Sequence, residues 1–197
     1  MFGSKQKIGF QVFIRQYLPL IKEMAANEVD SLYAEINKNT LPILISKERA
    51  EFELFLLFLI TSGYGLNQIK GYDDKYYNQY LSLIDEYLGT TFPHIELNPP
   101  TLVGKEKKFI FNDYRLYMRD KFEKYHELEI AFHKGKVSER DFPFVIGGIF
   151  FAHFRSWDEI NEPLASAVSE LSKKSLAYLR QWCSEFAKNH QIVPDVK

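Results

Sequence analysis

Cysteine is nearly missing: Cys183 is the single one in 197 residues. That excludes a disulfide framework and a zinc site built on cysteines. A lone thiol fits a reducing, cytoplasmic compartment better than an oxidising one. A surplus of charge is missing too, with 25 Lys and Arg against 26 Asp and Glu. The chain is therefore not a globally basic nucleic-acid binder, and nucleic acid is not the expected partner. Long apolar runs are also missing. The longest are Leu54–Ile60 and Phe142–Phe154, the latter interrupted by Pro143, Gly147, Gly148 and His153. Neither reaches the ~18 residues of a membrane span, so no membrane association is expected. Met1–Gln11 mixes Lys5, Gln6 and Lys7 with few apolar residues, which predicts no targeting segment. Glycine-rich phosphate loops, G-x-S-x-G turns and H-E-x-x-H helices are absent, as are internal repeats. Nothing names a reaction, and no cofactor is expected.

Aromatic residues, in contrast, are abundant. Seventeen Phe, twelve Tyr and two Trp make up 16% of the chain. With 46% hydrophobic and 26% charged residues, there is ample apolar surface to offset the entropy of ordering. The spacing of that surface is helical. Phe10, Phe13, Ile14, Tyr17, Ile21, Met24, Val29, Leu32 and Ile36 recur at three and four residues. Pro19 either kinks this helix or opens one near residue 18. Ser46 reads as the cap of a helix whose Leu54–Ile60 stretch is apolar on every side. Asp73 or Asp74 opens the next helix and Gly89 closes it. Residues 90–104 carry three prolines and read as a connection. A long helix runs from Lys105 to Gly135, Ser138 caps an apolar one, and Pro163 opens the last.

The expectation is an all-α protein, one domain over residues 1–197. Six to seven helices would form a bundle, two of them buried at its centre, near 54–61 and 143–154. Residues 1–9 and 191–197 would form loose ends.

The helix from Lys105 sorts its side chains three ways. At ~100° per residue, Ile110, Tyr114, Tyr117, Met118, Tyr125, Leu128 and Phe132 share the core side. Lys108, Arg115, Arg119, His126 and His133 share a narrow stripe, and Asp113, Asp120, Glu123 and Glu127 lie on the far side. A cationic stripe at the edge of a core face predicts a cleft wall that meets an anion or an acidic partner, because Arg presents a rigid fork to carboxylates. His126, Glu129 and His133 follow at spacings that let all three point one way. They are a candidate metal face, with His153 and His94 as further ligands. Tyr76, Tyr80 and Tyr87 recur along one helix edge, where tyrosines often anchor a partner. Cys183 reads as a small buried hydrophobe rather than a nucleophile.

These features favour a non-enzymatic helical protein that binds another protein, of adaptor, inhibitor or immunity type, through an acidic surface of that partner. A helical metal protein or enzyme using His126, Glu129 and His133 is the alternative. A small-molecule sensor with an aromatic-lined pocket is a second one.

Overall fold

The computed structural model describes residues 5–38, 46–61, 76–95, 114–151 and 162–195. Helices account for most of them, and the protein is all-α. In chain order the elements are β1 (Gln6–Gly9), α1 (Phe10–Lys38), α2 (Lys47–Thr61), α3 (Tyr77–Thr91), α4 (Tyr114–His133), α5 (Phe142–Phe151), α6 (Glu162–Asn189) and β2 (His190–Val193).

α1 passes through Pro19 as one continuous helix. Proline has no N–H to give the carbonyl of Arg15, but both residues lie on the exposed face, where solvent can offset the loss. The opposite stripe, from Phe10 to Leu32, is core. α2 starts at its expected cap: Ser46 Oγ accepts the Arg49 N–H at 3.0 Å. Nearly every residue from Arg49 to Leu59 is then buried, in keeping with its lack of a polar face.

α3 continues past Gly89 to Thr91, and the Phe92 N–H closes it on the Leu88 carbonyl at 2.9 Å. Its expected start at Asp73 or Asp74, and the start of the long helix at Lys105, lie outside the described residues. α4 ends as predicted at Gly135, whose φ of 67° is the left-handed value that favours glycine. The N–H groups of Gly135 and Lys136 then take up the carbonyls of Phe132 and Ala131, both at 2.9 Å. Ser138 caps the turn into α5, accepting the Asp141 N–H at 3.1 Å. α5 is buried from Ile146 to Phe150, while Phe142 to Val145 remain partly or fully exposed. α6 carries Pro163 in its first turn.

The two ends differ from expectation. β1 and β2 pair in parallel, Gln6 opposite His190 through Gly9 opposite Val193. Four-residue strands are too short to show alternation, so the sequence pattern carries no sign of them. What ties them is local. Ile192 is buried, and Lys5 Nζ donates to the Ala187 carbonyl. The Asp195 carboxylate accepts the Gln11 N–H at 3.0 and 3.2 Å and Gln79 Nε2 at 2.8 Å. A carboxylate there offsets the positive N-terminal end of α1. Gly9 makes room for it, since a Cβ at that position would stand 2.6 Å from Asp195 Oδ1.

α1 packs most extensively on α2, and α5 on α6; α4 contacts α2, α3 and α5. Among the described residues, no helix is long and apolar enough to cross a membrane.

Candidate functional site

α4 presents one face to solvent and one to the core. On the outward face, the Arg115, Arg119, His126 and His133 side chains are 63–76% exposed. The expected position at a cleft wall is corrected: the stripe is open to solvent, with Arg115 at its start reaching across to α3. Arg115 Nε donates to Asp85 Oδ2 of α3 at 2.9 Å, and Arg119 Nε donates to Glu123 Oε1 at 2.8 Å. Leu116 and Ile130, 49% and 38% exposed, lie on the same outward arc. Lys108 falls outside the described residues.

The metal face does not assemble. His126 Nδ1 and His133 Nε2 stand 3.7 Å from opposite oxygens of one carboxylate, Glu129. The two imidazoles flank Glu129 rather than converge with it on a point. Among the described residues, no three His, Cys, Asp or Glu side chains come together as a metal-holding set. His94 is exposed, and His153 lies outside the described residues. Cys183 is fully buried, and burial pushes its thiol up to about 12, which leaves essentially no thiolate.

The tyrosine edge is also corrected. Tyr76 and Tyr80 are buried, and Tyr76 stacks on Phe10 with centroids 4.4 Å apart. Tyr87 stacks on Phe55 at 5.8 Å, and burial raises its phenol pKa. These rings belong to the core and its rim, and two of the three offer almost no surface to a partner.

The inward face of α4 holds a cluster that no sequence motif marks. Arg49 and Glu53 come from α2, Tyr117 and Lys121 from α4, and Arg49, Glu53 and Lys121 are each at most 5% exposed. Glu53 Oε1 accepts Arg49 Nε at 3.0 Å and also accepts the Tyr117 hydroxyl. Arg49 Nη2 in turn donates to the Tyr117 oxygen. Glu53 Oε2 lies 3.2 Å from Lys121 Nζ. The same ammonium donates to the carbonyls of Ile149 at 2.7 Å and Phe150 at 2.9 Å, at the end of α5. The Arg49 guanidinium lies 5.0 Å from the Tyr117 ring centroid, a cation–π distance.

Burial dominates the electrostatics here. It pushes the Lys121 ammonium down to about 8, an effect that Glu53 partly offsets. It raises the Tyr117 phenol well above its ordinary value, and the negative charge of Glu53 raises it further. An amine titrating near 8 suits covalent chemistry in principle. Lys121 is only 1% exposed, however, and its three hydrogen-bonding positions each have an acceptor. The arrangement ties α2, α4 and α5 together. It gives a substrate no access to Lys121.

A third feature is a groove of about 490 Å³ between α1 and α6. Leu32 and Leu171 line it, with Glu28, Glu35, Glu170 and Lys174 on its walls. It does not match the aromatic-lined pocket expected of a sensor.

This architecture defines an all-helical protein with a charged and apolar outer face on α4. No protein-family model, curated protein or solved structure matches the chain.

Proposed function

We propose that this protein acts by binding another protein, as an adaptor or inhibitor without chemistry of its own, through the outward face of α4. One observation supports the reading most. Leu116 and Ile130 are exposed within the arc that also carries Arg115, Arg119, His126 and His133. An apolar centre with a polar rim is the usual anatomy of a protein interface. The cations favour a partner with an acidic patch. Their present partners, Asp85 and Glu123, form exposed pairs with them. Pairs of that kind contribute roughly 0–1 kcal/mol, so exchanging them for a partner's carboxylates costs little.

The test is capture from the source cells with the full chain immobilised. One stoichiometric protein is expected to bind. It should be lost with the double substitution Leu116→Asp, Ile130→Asp, and retained with Val12→Asp, an exposed position on α1. Charge reversal at Arg115 and Arg119 should mainly slow association and flatten its salt dependence. A partner that survives the double substitution, or no stoichiometric partner at all, contradicts the reading.

A further inference from the structure

The contacts between α1 and α6 fix which edge of α6 meets α1, and show that the two helices run antiparallel. Trp182 packs on Tyr17 with ring centroids 5.5 Å apart, and Lys174 Nζ pairs with Glu28 farther along α1. Tyr178 lies one turn from both Trp182 and Lys174 on that edge, and it is 48% exposed. Beyond Lys174 the seam opens into the groove of about 490 Å³, which follows α6 back to Pro163. That stretch of helix is roughly 17 Å long.

The groove is apolar below and charged at the sides. Leu32 and Leu171, both buried, form its floor. On its walls three carboxylates, Glu28, Glu35 and Glu170, stand against one ammonium, Lys174. Glu28 pairs with Lys174 and Glu170 with Lys173, and both lysine side chains stay about two-thirds exposed, at 67% and 64%. Exposed pairs of this kind have little net worth and exchange readily for an incoming cation. Negative walls repel phosphate, which makes nucleic acid and anionic lipid poor occupants. Lys and Arg suit the groove twice over. Their charged heads meet carboxylates, and their apolar stems lie along the seam, where the Tyr178 ring also offers a cation–π face.

We propose that the α1–α6 groove is a second docking surface, distinct from the outward face of α4, and that it receives a basic amphipathic helix of a partner protein. An open apolar seam between two helices accepts a third helix through side chains at i, i+3 or i+4, and i+7. Aliphatic side chains of the incoming helix meet Leu32 and Leu171. The Lys or Arg residues that flank them meet Glu28, Glu35 and Glu170, and Tyr178 covers the end beside Lys174.

The probe is a labelled synthetic helix of leucine and lysine in amphipathic register, titrated with the full chain and followed by fluorescence anisotropy at about 50 and 300 mM salt. It should bind, about tenfold more weakly at the higher salt, and its leucine–glutamate counterpart should not. Glu170→Lys and Tyr178→Ala should each weaken binding severalfold, and Ala167→Arg, which fills the groove, should abolish it. Glu139→Lys, an equal change of charge on the exposed turn before α5, should leave binding unaltered. Glu170 and Tyr178 are exposed, so their variants decide alone if Ala167→Arg does not fold. A lysine helix that does not bind at millimolar concentration overturns the proposal, as do groove variants that bind like wild type. An equal loss in Glu139→Lys would reveal diffuse charge attraction and overturn it too. Sedimentation that shows a wild-type dimer and a monomeric Ala167→Arg would assign the groove to a second copy of this chain, which also contradicts it.

Discussion

Glu53 stands at the centre of the buried cluster, with Arg49, Tyr117 and Lys121 all on its carboxylate. Removing one partner of a buried ion pair costs more than the pair is worth, because the remaining charges stay behind. Glu53→Gln should lower unfolding stability at pH 7 by about 3–5 kcal/mol in urea titrations. The loss should shrink at pH 9.5, where Lys121 sheds the charge that Glu53 balanced. In the wild type, Lys121 sits near 8 when folded and near 10.4 when unfolded. Its contribution to stability therefore rises as the pH passes from about 8 to 10, by at most roughly 3 kcal/mol. Above about 10 the raised phenols of Tyr117 and Tyr125 act in the opposite direction. A stability profile that falls steadily from pH 7 to 10 would contradict this balance. Part of the cluster was legible in the sequence. Lys121 shares the helical register of Tyr117, Tyr125 and Leu128, and Arg49 and Glu53 belong to a helix with no polar face. Which charges meet was not legible, because Glu53 and Tyr117 are 64 residues apart and nothing local couples them.

At the scale of elements, capping and spacing were the readable signals. Ser46, Gly135, Ser138 and Pro163 each act where local chemistry places them. Phe58 and Phe150, on the two helices expected at the centre, are buried, and replacing either with Ala should cost about 3–5 kcal/mol by leaving a cavity. Calorimetry that finds both variants close to wild type would mean that α2 and α5 are packed differently. The direction in which each helix turns its faces was less readable. The three-way sorting of α4 is real, but whether its cations border the core or face water depends on where α2, α3 and α5 sit. The same holds for Tyr76 and Tyr80, which share the buried stripe of Ile84 and Leu88, with Tyr76 stacked on Phe10 of α1. The strap at the chain ends was invisible, since it depends on a backbone pairing and one carboxylate. Asp195→Ala should cost on the order of 1 kcal/mol, the usual loss for a helix cap. Gly9→Ala should disturb the strap as well, by driving a Cβ into the carboxylate. Thermal melts of both variants that match wild type would show that the strap carries no stability.

For the whole molecule, the fold organises two different uses of charge around one helix. The inward face of α4 commits its charges to joining α2 and α5. The outward face keeps Arg115, Arg119, His126 and His133 accessible beside Leu116 and Ile130. That second face carries the functional proposal, and a site-resolved crosslink tests it most directly. A photoreactive amino acid is placed at position 116, at 126 or, for comparison, at 12 on α1, and the full chain is irradiated in the source cells. The account predicts that positions 116 and 126 both trap the same protein, and that position 12 does not. Equal trapping at all three positions, or none at 116 and 126, would contradict it.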